Sequence, residues 1–548
     1  MSDQKKRARE SRTAIEKIYV TMRHLFNRGN YKPNGTSGGA LRASLIQLSP
    51  EIYGSIADPE KVELDGLLYV FDRLPRGIEE CRHIKLIAKE GFKKAGFKTL
   101  IPQKRKRDCY RIDDSTMYIE MTRGRSDIYD ILTHLTFMYN EADKIKNHVL
   151  DAKYRPSDDW EKLGQIVRLE RAKKKFDLKK GLTYLSNVLG RTFEEVQIAY
   201  GKFEQSKNGN SLFNIAWWLG KLAIDEEVKK KDREITFSTR LREHVGHHIY
   251  GDRWATSVKS VLAEEKLLDR PIHIISANLH SVMNTLYGHA AAPKLKDEDI
   301  QQLAIETSKV ENQKLRDKIK VYALKHGMIE IKDTSGTNLE VQVINTEKVP
   351  SVKSKDEKPV IIVMDYAFGE QAFECMDELL KPYDEMEPAK LNVRSVAIMG
   401  KAGILEGDKG DIMIPTAHVF EGTADNYPFK NEFEIADFEG HGLRVYRGPM
   451  TTVLGTSLQN RDVLEHFRTS TWNAIGIEME GVHYQKAVQS ASTIRKSIPE
   501  DVKVMYAYYA SDNPLVTGKT LSSGSLGPEG VKPTYLITQK ILENVLAG

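Results

Sequence analysis

The chain has 548 residues, 40% hydrophobic and 29% charged, the proportions of a folded globular protein, and this length predicts two or three domains rather than one. No apolar run reaches the length of a membrane span, and the polar, basic opening Met1–Glu10 lacks the apolar stretch of a secretory signal, so neither membrane insertion nor export is expected. Cys81, Cys109 and Cys375 are too few and too far apart for a disulfide framework or a zinc cluster, which points to a reducing cytoplasm.

The net charge of +5 conceals an asymmetry. Residues 1–270 hold 52 Lys and Arg against 39 Asp and Glu, and the remainder hold 30 against 38, so the halves carry +13 and −8. Basic runs at Lys104–Arg107, Lys173–Lys175 and Lys229–Lys231 lack interleaved aromatics or a nucleic-acid motif. They read as solvated helix faces, and nucleic acid is not an expected partner.

From Arg12 to about Leu268, apolar residues recur at three- and four-residue spacing, as in Ile15-Ile18-Tyr19-Met22-Leu25, Ile128-Ile131-Leu132-Leu135 and Leu212-Ile215-Trp218-Leu222. This pattern predicts a helical amino-terminal domain over residues 1–267. Turn-rich breaks at Asn34–Gly39 and Lys207–Asn210 separate its helices, and no fixed-period repeat suggests a solenoid. Glu243-His244-Val245-Gly246-His247-His248 offers neighbouring imidazoles but no defined further ligand, so no metal is expected there. Arg253, in Tyr250–Trp254, is a candidate for holding a substrate phosphate.

After Arg270, short β-branched runs alternate with helical stretches. Strands are expected at Pro271–Ile275, Leu339–Val343, Pro359–Met364, Ser395–Met399, Ile412–Ile414 and Val502–Tyr506, with a charged helical insertion near 294–326 and an exposed loop over Glu347–Lys358. Apolar runs alternating with helices predict an α/β domain over 268–548 with a mostly parallel sheet, whose ligands gather at the carboxyl ends of its strands.

The candidate chemistry lies at those strand ends. Ile477-Glu478-Met479-Glu480-Gly481 places a carboxylate, Glu480, where it can accept hydrogen bonds from two sugar hydroxyls, with Met479 as an apolar wall for the sugar. Standing alone, Glu478 and Glu480 would read as ordinary acids at a helix start. Ser511-Asp512-Asn513-Pro514 follows a strand; there Asp512 could be a general acid oriented by Ser511, or simply an Asx-turn. Gly400-Lys401-Ala402-Gly403 would form a turn after a strand, its backbone amides and Lys401 cradling an anion. Asp365–Glu370 is a second strand-to-helix turn, a poor anion cradle with its single glycine.

In their order, these segments resemble the nucleoside phosphorylase and nucleosidase superfamily, and within it the AMP nucleosidases, over roughly residues 268–548. The matching pieces are Gly400–Leu405 with Gly410-Asp411 and Pro415, Glu421–Tyr427, Glu478-Met479-Glu480, Ser511-Asp512 with Pro514-Leu515, and Ile274–Asn278, whose Asn278 ends the first strand. The resemblance implies hydrolysis of the N-glycosidic bond of a purine nucleotide, AMP foremost, by a homo-oligomer that uses no cofactor. In that reaction Glu480 and Asp512 are catalytic, and Glu478, Met479, Ser511, Gly400, Lys401, Gly403, Asn278 and Arg253 bind substrate. Lys401 stands where phosphorylases of the superfamily carry a small hydroxyl residue. Two alternatives stay open: a purine nucleoside phosphorylase using inorganic phosphate, and a nucleotide-binding regulatory protein without turnover.

Overall fold

The computed structural model describes residues 3–105, 107–206, 209–293, 299–352, 358–383, 390–423, 425–517 and 527–547. Lys106 of the first basic run, Lys207 and Asn208 of the second turn-rich break, 294–298 of the insertion, 353–357 of the loop and Ala424 lie outside them. The chain forms two compact units: Met1–Thr122 with Asp127–His247 and Ser457–Val463, and Arg123–Ser126 with His248–Thr456 and Leu464–Gly548. No helix among the described residues is long and apolar enough to cross a membrane.

The first unit is not purely helical. Its helices are α1 (Asp3–Arg28), α2 (Thr36–Leu48), α3 (Leu64–Phe71), α4 (Gly124–Val149, whose first turn belongs to the other unit), α5 (Asp158–Arg171), α6 (Leu178–Leu189), α7 (Phe193–Gln205), α8 (Leu212–Lys229) and α9 (Thr239–Gly246). With them stands a sheet of β1 (Asn30–Tyr31), β2 (His83–Ile87), β3 (Thr99–Leu100), β4 (Cys109–Asp113), β5 (Thr116–Glu120) and β6 (Glu234–Phe237), ordered β1-β6-β2-β5-β4-β3. These strands are short, and β1 and β3 have two residues each, so their period-2 signal is lost beside helices of up to 26 residues. Helix α4 buries Ile128, Ile131, Leu132, Leu135, Phe137, Met138 and Tyr139, the wide apolar girth of an interior helix.

The second unit begins before the expected boundary. Helix α10 (Ile249–Glu264) buries Trp254, Ala255, Val258 and Leu262 in the same cluster as Ile272, Ile274 and Val360, so its apolar stripe is satisfied by this unit's sheet. The other elements are β7 (Ile272–Ser276), α11 (Leu279–Ala291), α12 (Ile300–Ser308), α13 (Gln313–Lys325), β8 (Met328–Ile331), β9 (Val341–Asn345), β10 (Val360–Met364), α14 (Gln371–Leu379), β11 (Val393–Ile404), β12 (Ile412–Phe420), β13 (Asn426–Pro428), β14 (Val445–Thr452), α15 (Arg461–Thr469), β15 (Gly476–Glu478), α16 (Gly481–Gln489), β16 (Lys503–Asp512), α17 (Pro514–Thr517) and α18 (Val531–Leu546).

Strand β10 shows why the apolar runs are continuous. Val360, Ile362 and Met364 enter one core cluster with α10 and α14, whereas Ile361 and Val363 enter another with α11, α13 and α18. Both faces are covered, so neither admits polar residues. The insertion contributes too: Leu303, Ala304, Ile319 and Ala323 are buried in the second cluster.

The sheet is mixed, not mostly parallel. Pairings β7–β10, β7–β11, β11–β16, β12–β14 and β14–β15 are parallel. Pairings β8–β9, β9–β10, β11–β15, β12–β13 and β12–β16 are antiparallel. Because β16 pairs with both β11 and β12, the strands β11-β16-β12-β14-β15 return to β11 and close a barrel. Apolar runs in the sequence give burial on two faces but not strand direction, and the ring itself holds two antiparallel joints, β11–β15 and β12–β16.

Candidate active site

The end of β11 organises the site. Gly403 pairs with Ile477 of β15 on one side and with Asp512 of β16 on the other. The Glu478–Glu480 and Ser511–Asp512 segments therefore flank one strand end, two strand widths or roughly 10 Å apart. A register shift between Ala402 and Gly403 sets Asp512, rather than Ser511, opposite Gly403.

Asp512 is 8% exposed, and its two oxygens differ. Oδ1 accepts from Ser511 Oγ at 2.6 Å, while Oδ2 is buried without a hydrogen-bond partner among the described residues. Burial raises its pKa, opposed by the Ser511 hydrogen bond and the charges of Lys401 and Lys409. A carboxyl with a raised pKa and one oxygen unengaged is suited to donate a proton to an incoming acceptor.

Glu478 and Glu480 divide sharply. The Glu478 carboxylate, 2% exposed, accepts from the Glu480 amide at 2.5 Å, from the Gly481 amide and from Thr452 Oγ1, and His418 Nδ1 lies 3.5 Å away. Burial alone would raise its pKa, but His418, Thr452 and the Gly481 amide hold it below the usual carboxylate value. It serves the amino terminus of α16, where an anion meets the helix dipole and unpaired N–H groups. Thr452 Oγ1 also accepts from the Val482 amide at 3.0 Å. The sequence-based expectation gave Glu478 to substrate; its carboxylate is engaged within the fold.

Glu480 is only partly buried as a residue, but its carboxyl turns inward and accepts from Gly369 N–H at 2.9 Å. Burial, with Glu478 nearby, pushes its pKa up to about 8, against the hydrogen bond from Gly369. Gly369 has a positive φ of +56°, and a side chain there would collide with Ser126. That close approach joins two distant pieces of sequence: Ser126 Oγ accepts from the Glu370 amide at 2.8 Å, Arg125 pairs with Glu370 at 3.2 Å, and Arg123 lies over the Phe368 ring at 5.0 Å. Sequence reasoning missed Arg123, Arg125 and Ser126, since nothing in their spacing links them to a turn 244 residues away. Met479, between the two acids, is partly buried.

Gly400, Lys401, Ala402 and Gly403 are not a turn. They lie within β11, their backbone in the ladder with β16, so no loop of free amides forms an anion cradle. Gly400 is explained by packing: a Cβ there would press on the Tyr508 ring at 3.1 Å. Lys401 is exposed and borders a cavity of about 540 Å³ lined also by Asn278, His280, Ser281, Tyr509 and Thr534. Asn278 caps α11, its Oδ1 accepting from the amides of His280 at 2.9 Å and Ser281 at 3.3 Å. Arg253 sits on the exposed face of α10, and the described contacts join it to none of these residues.

A family model described as a family of unknown function (DUF6909) matches residues 40–308 and 302–547. The chain belongs to that family. No curated protein matches. Among solved structures, this DUF6909 member is similar to the 5'-methylthioadenosine/S-adenosyl homocysteine nucleosidase of Campylobacter jejuni, at 12% identity over 51% of this chain and 100% of that one, with a TM-score of 0.31. It is similar to the futalosine hydrolase of Helicobacter pylori strain 26695, at 12% identity over 50% and 98%, with a TM-score of 0.29. It is also similar to the uridine phosphorylase of Schistosoma mansoni, at 12% identity over 53% and 91%, with a TM-score of 0.33.

Proposed function

We propose that the chain cleaves the N-glycosidic bond of a purine nucleoside or nucleotide, and that its leading reaction is hydrolysis of AMP to adenine and ribose 5-phosphate. The observation that carries this reading is Asp512: a buried carboxyl, its pKa raised, oriented by Ser511 through one oxygen and unengaged at the other. Glu480 supports it from across the end of β11, where Gly403 pairs with both flanking strands.

In this mechanism the bond between the base nitrogen and the anomeric carbon breaks while the oxygen of a water molecule bonds to that carbon. Asp512 delivers a proton to the departing base, and the water's proton makes up the balance. The Glu480 carboxyl, whose pKa burial raises, meets the sugar hydroxyls, and positive charge growing on the sugar favours its anionic form. Lys401 holds the 5′-phosphate as a point charge.

One observation favours a second reading. The cavity bordered by Lys401 could instead admit inorganic phosphate as the nucleophile, giving a ribose 1-phosphate product. Incubation of the purified chain with AMP and adenosine, with and without phosphate, distinguishes the two by chromatography. Phosphate-independent release of adenine from AMP is expected; strict phosphate dependence selects phosphorolysis, and binding without release of base sinks both.

A further inference from the structure

The amino-terminal unit buries a cluster of charges whose count does not close. Arg107 is 1% exposed along its side chain; its Nε and Nη2 donate to Asp127 Oδ1 at 3.1 and 2.8 Å, and Nη2 donates to Asp130 Oδ2 at 2.6 Å. Arg105 grips both Asp130 oxygens at 3.0 Å. His134 Nε2 lies 3.4 Å from Asp130 Oδ1, and its Nδ1 is 3.1 Å from the Tyr53 hydroxyl. Two carboxylates thus serve two arginines and a histidine that burial keeps below its usual pKa, despite Asp130.

Arg73 is left over. It is 5% exposed, lies over the Tyr69 ring at 3.4 Å, and donates Nη1 to Tyr69 O at 2.8 Å. No carboxylate among the described residues forms an ion pair with it, and its Nε is buried without a partner. Burial lowers its pKa and Arg105 adds to that, while Tyr69 and Asp130 oppose it without reversing it. The Tyr69 hydroxyl and Arg107 Nη1 are also buried without partners among the described residues. A buried guanidinium without an ion-pair partner, beside further unmet donors, is destabilising unless an anion joins it. Nothing in the proposed glycosidic chemistry uses these residues.

We infer that Arg73, Arg105 and Tyr69 form a binding site for a phosphoryl group in the amino-terminal unit. Guanidinium forks only donate and a phenolic O–H can donate, as a phosphate's oxygens require, and planar forks suit bidentate contact with it. Three arginines against Asp127 and Asp130 leave one positive charge, which a phosphate monoanion neutralises. Arg105, with 17% of its side chain exposed, marks the solvent edge of the cluster.

The test is calorimetric titration of the full chain at fixed ionic strength, carried out on Lys401→Ala so that phosphate held at that lysine does not contribute. Inorganic phosphate and AMP are the probes, with adenosine and chloride as controls. A binding component for phosphate or AMP that Arg73→Gln weakens at least about tenfold, the loss of one charge-assisted contact, is expected, while adenosine, held only at the β11 site, and chloride should behave alike with and without Arg73→Gln. AMP without inorganic phosphate would identify the source as a nucleotide; both would identify the free anion. Arg73→Met checks folding: without ligand its Tm should equal or exceed that of the parent, and phosphate should raise the parent's Tm alone. No binding to Lys401→Ala, binding indifferent to Arg73, or a Tm lowered by Arg73→Met whether or not phosphate is present would each overturn the site.

Discussion

The end of β11 and the arginine cluster around α4 both bury ionisable groups, yet they do so in opposite ways. Around α4, Asp130 is met by Arg105, Arg107 and His134, and despite burial these neighbours hold its pKa well below the usual value. Beside β11, Asp512 accepts from the Ser511 side chain and Glu480 from main-chain amides, and burial prevails, raising both. A buried acid with a full set of partners is framework; one with partners missing is held ready for something else. The contrast holds within three residues: Glu478 is framework by this measure and Glu480 is not.

The largest test of the contrast is at Asp512. Asp512→Asn should keep substrate binding and lower kcat roughly 10²- to 10⁴-fold, the range of a lost general acid, as read by single-turnover release of base. Unchanged turnover would return Asp512 to the role of a turn residue. Asp130→Ala, on the framework side, should lower unfolding free energy by about 3–5 kcal/mol in urea titrations, because it leaves Arg105 without its bidentate carboxylate and buried Arg107 with only Asp127. A loss under 1 kcal/mol would erase the distinction between the two regions.

Lys401→Ala should reduce kcat/KM for AMP about tenfold or more while leaving adenosine nearly unchanged, since only the nucleotide offers a charge to the lysine. Equal losses on both would make Lys401 a strand residue without a ligand. Glu480→Gln should cost more turnover with ribonucleotides than with 2′-deoxyribonucleotides, which already lack one hydroxyl contact; equal losses would argue against that contact.

The smallest expected effect concerns Glu374, 4% exposed on α14, whose pKa burial raises to about 8, with help from Glu370. A folded-state pKa above the unfolded value means that the folded chain binds the proton more tightly, so stability falls as pH rises from about 4.5 toward about 8. Glu374→Gln should therefore raise Tm by a few degrees at pH 8 and much less at pH 5. A shift equal at both pH values would mean that packing, not ionisation, sets its effect.

Much of the second unit is legible in the sequence because its signals are local. The run Val360–Met364 is apolar at every position since both faces of β10 are covered, and Asp512 at a strand end can be read from the strand before it and Pro514 after it. The first unit is less legible. Its two- and five-residue strands draw their stability from partners as distant as Glu234 for His83, and no window of sequence contains that pairing. Likewise the run Lys104–Arg107 reads as a solvated face, yet Arg105 and Arg107 turn inward because Asp127 and Asp130 await them on α4.

The sequence by itself determined which groups were available: two acids around Met479, Ser511 beside Asp512, and a lysine in the strand run that begins at Val393. Only the tertiary structure decided their use. Closure of β11-β16-β12-β14-β15 brings Ile477 and Asp512 to opposite sides of Gly403, and the same closure keeps Gly400–Gly403 in a ladder instead of a turn. The difference between Glu478 and Glu480 arises there too, from Thr452 and His418 on one and Gly369 on the other. Hydrogen-bond partners set a carboxyl's charge and reach, and those partners come from strands and turns that the chain joins only when it folds.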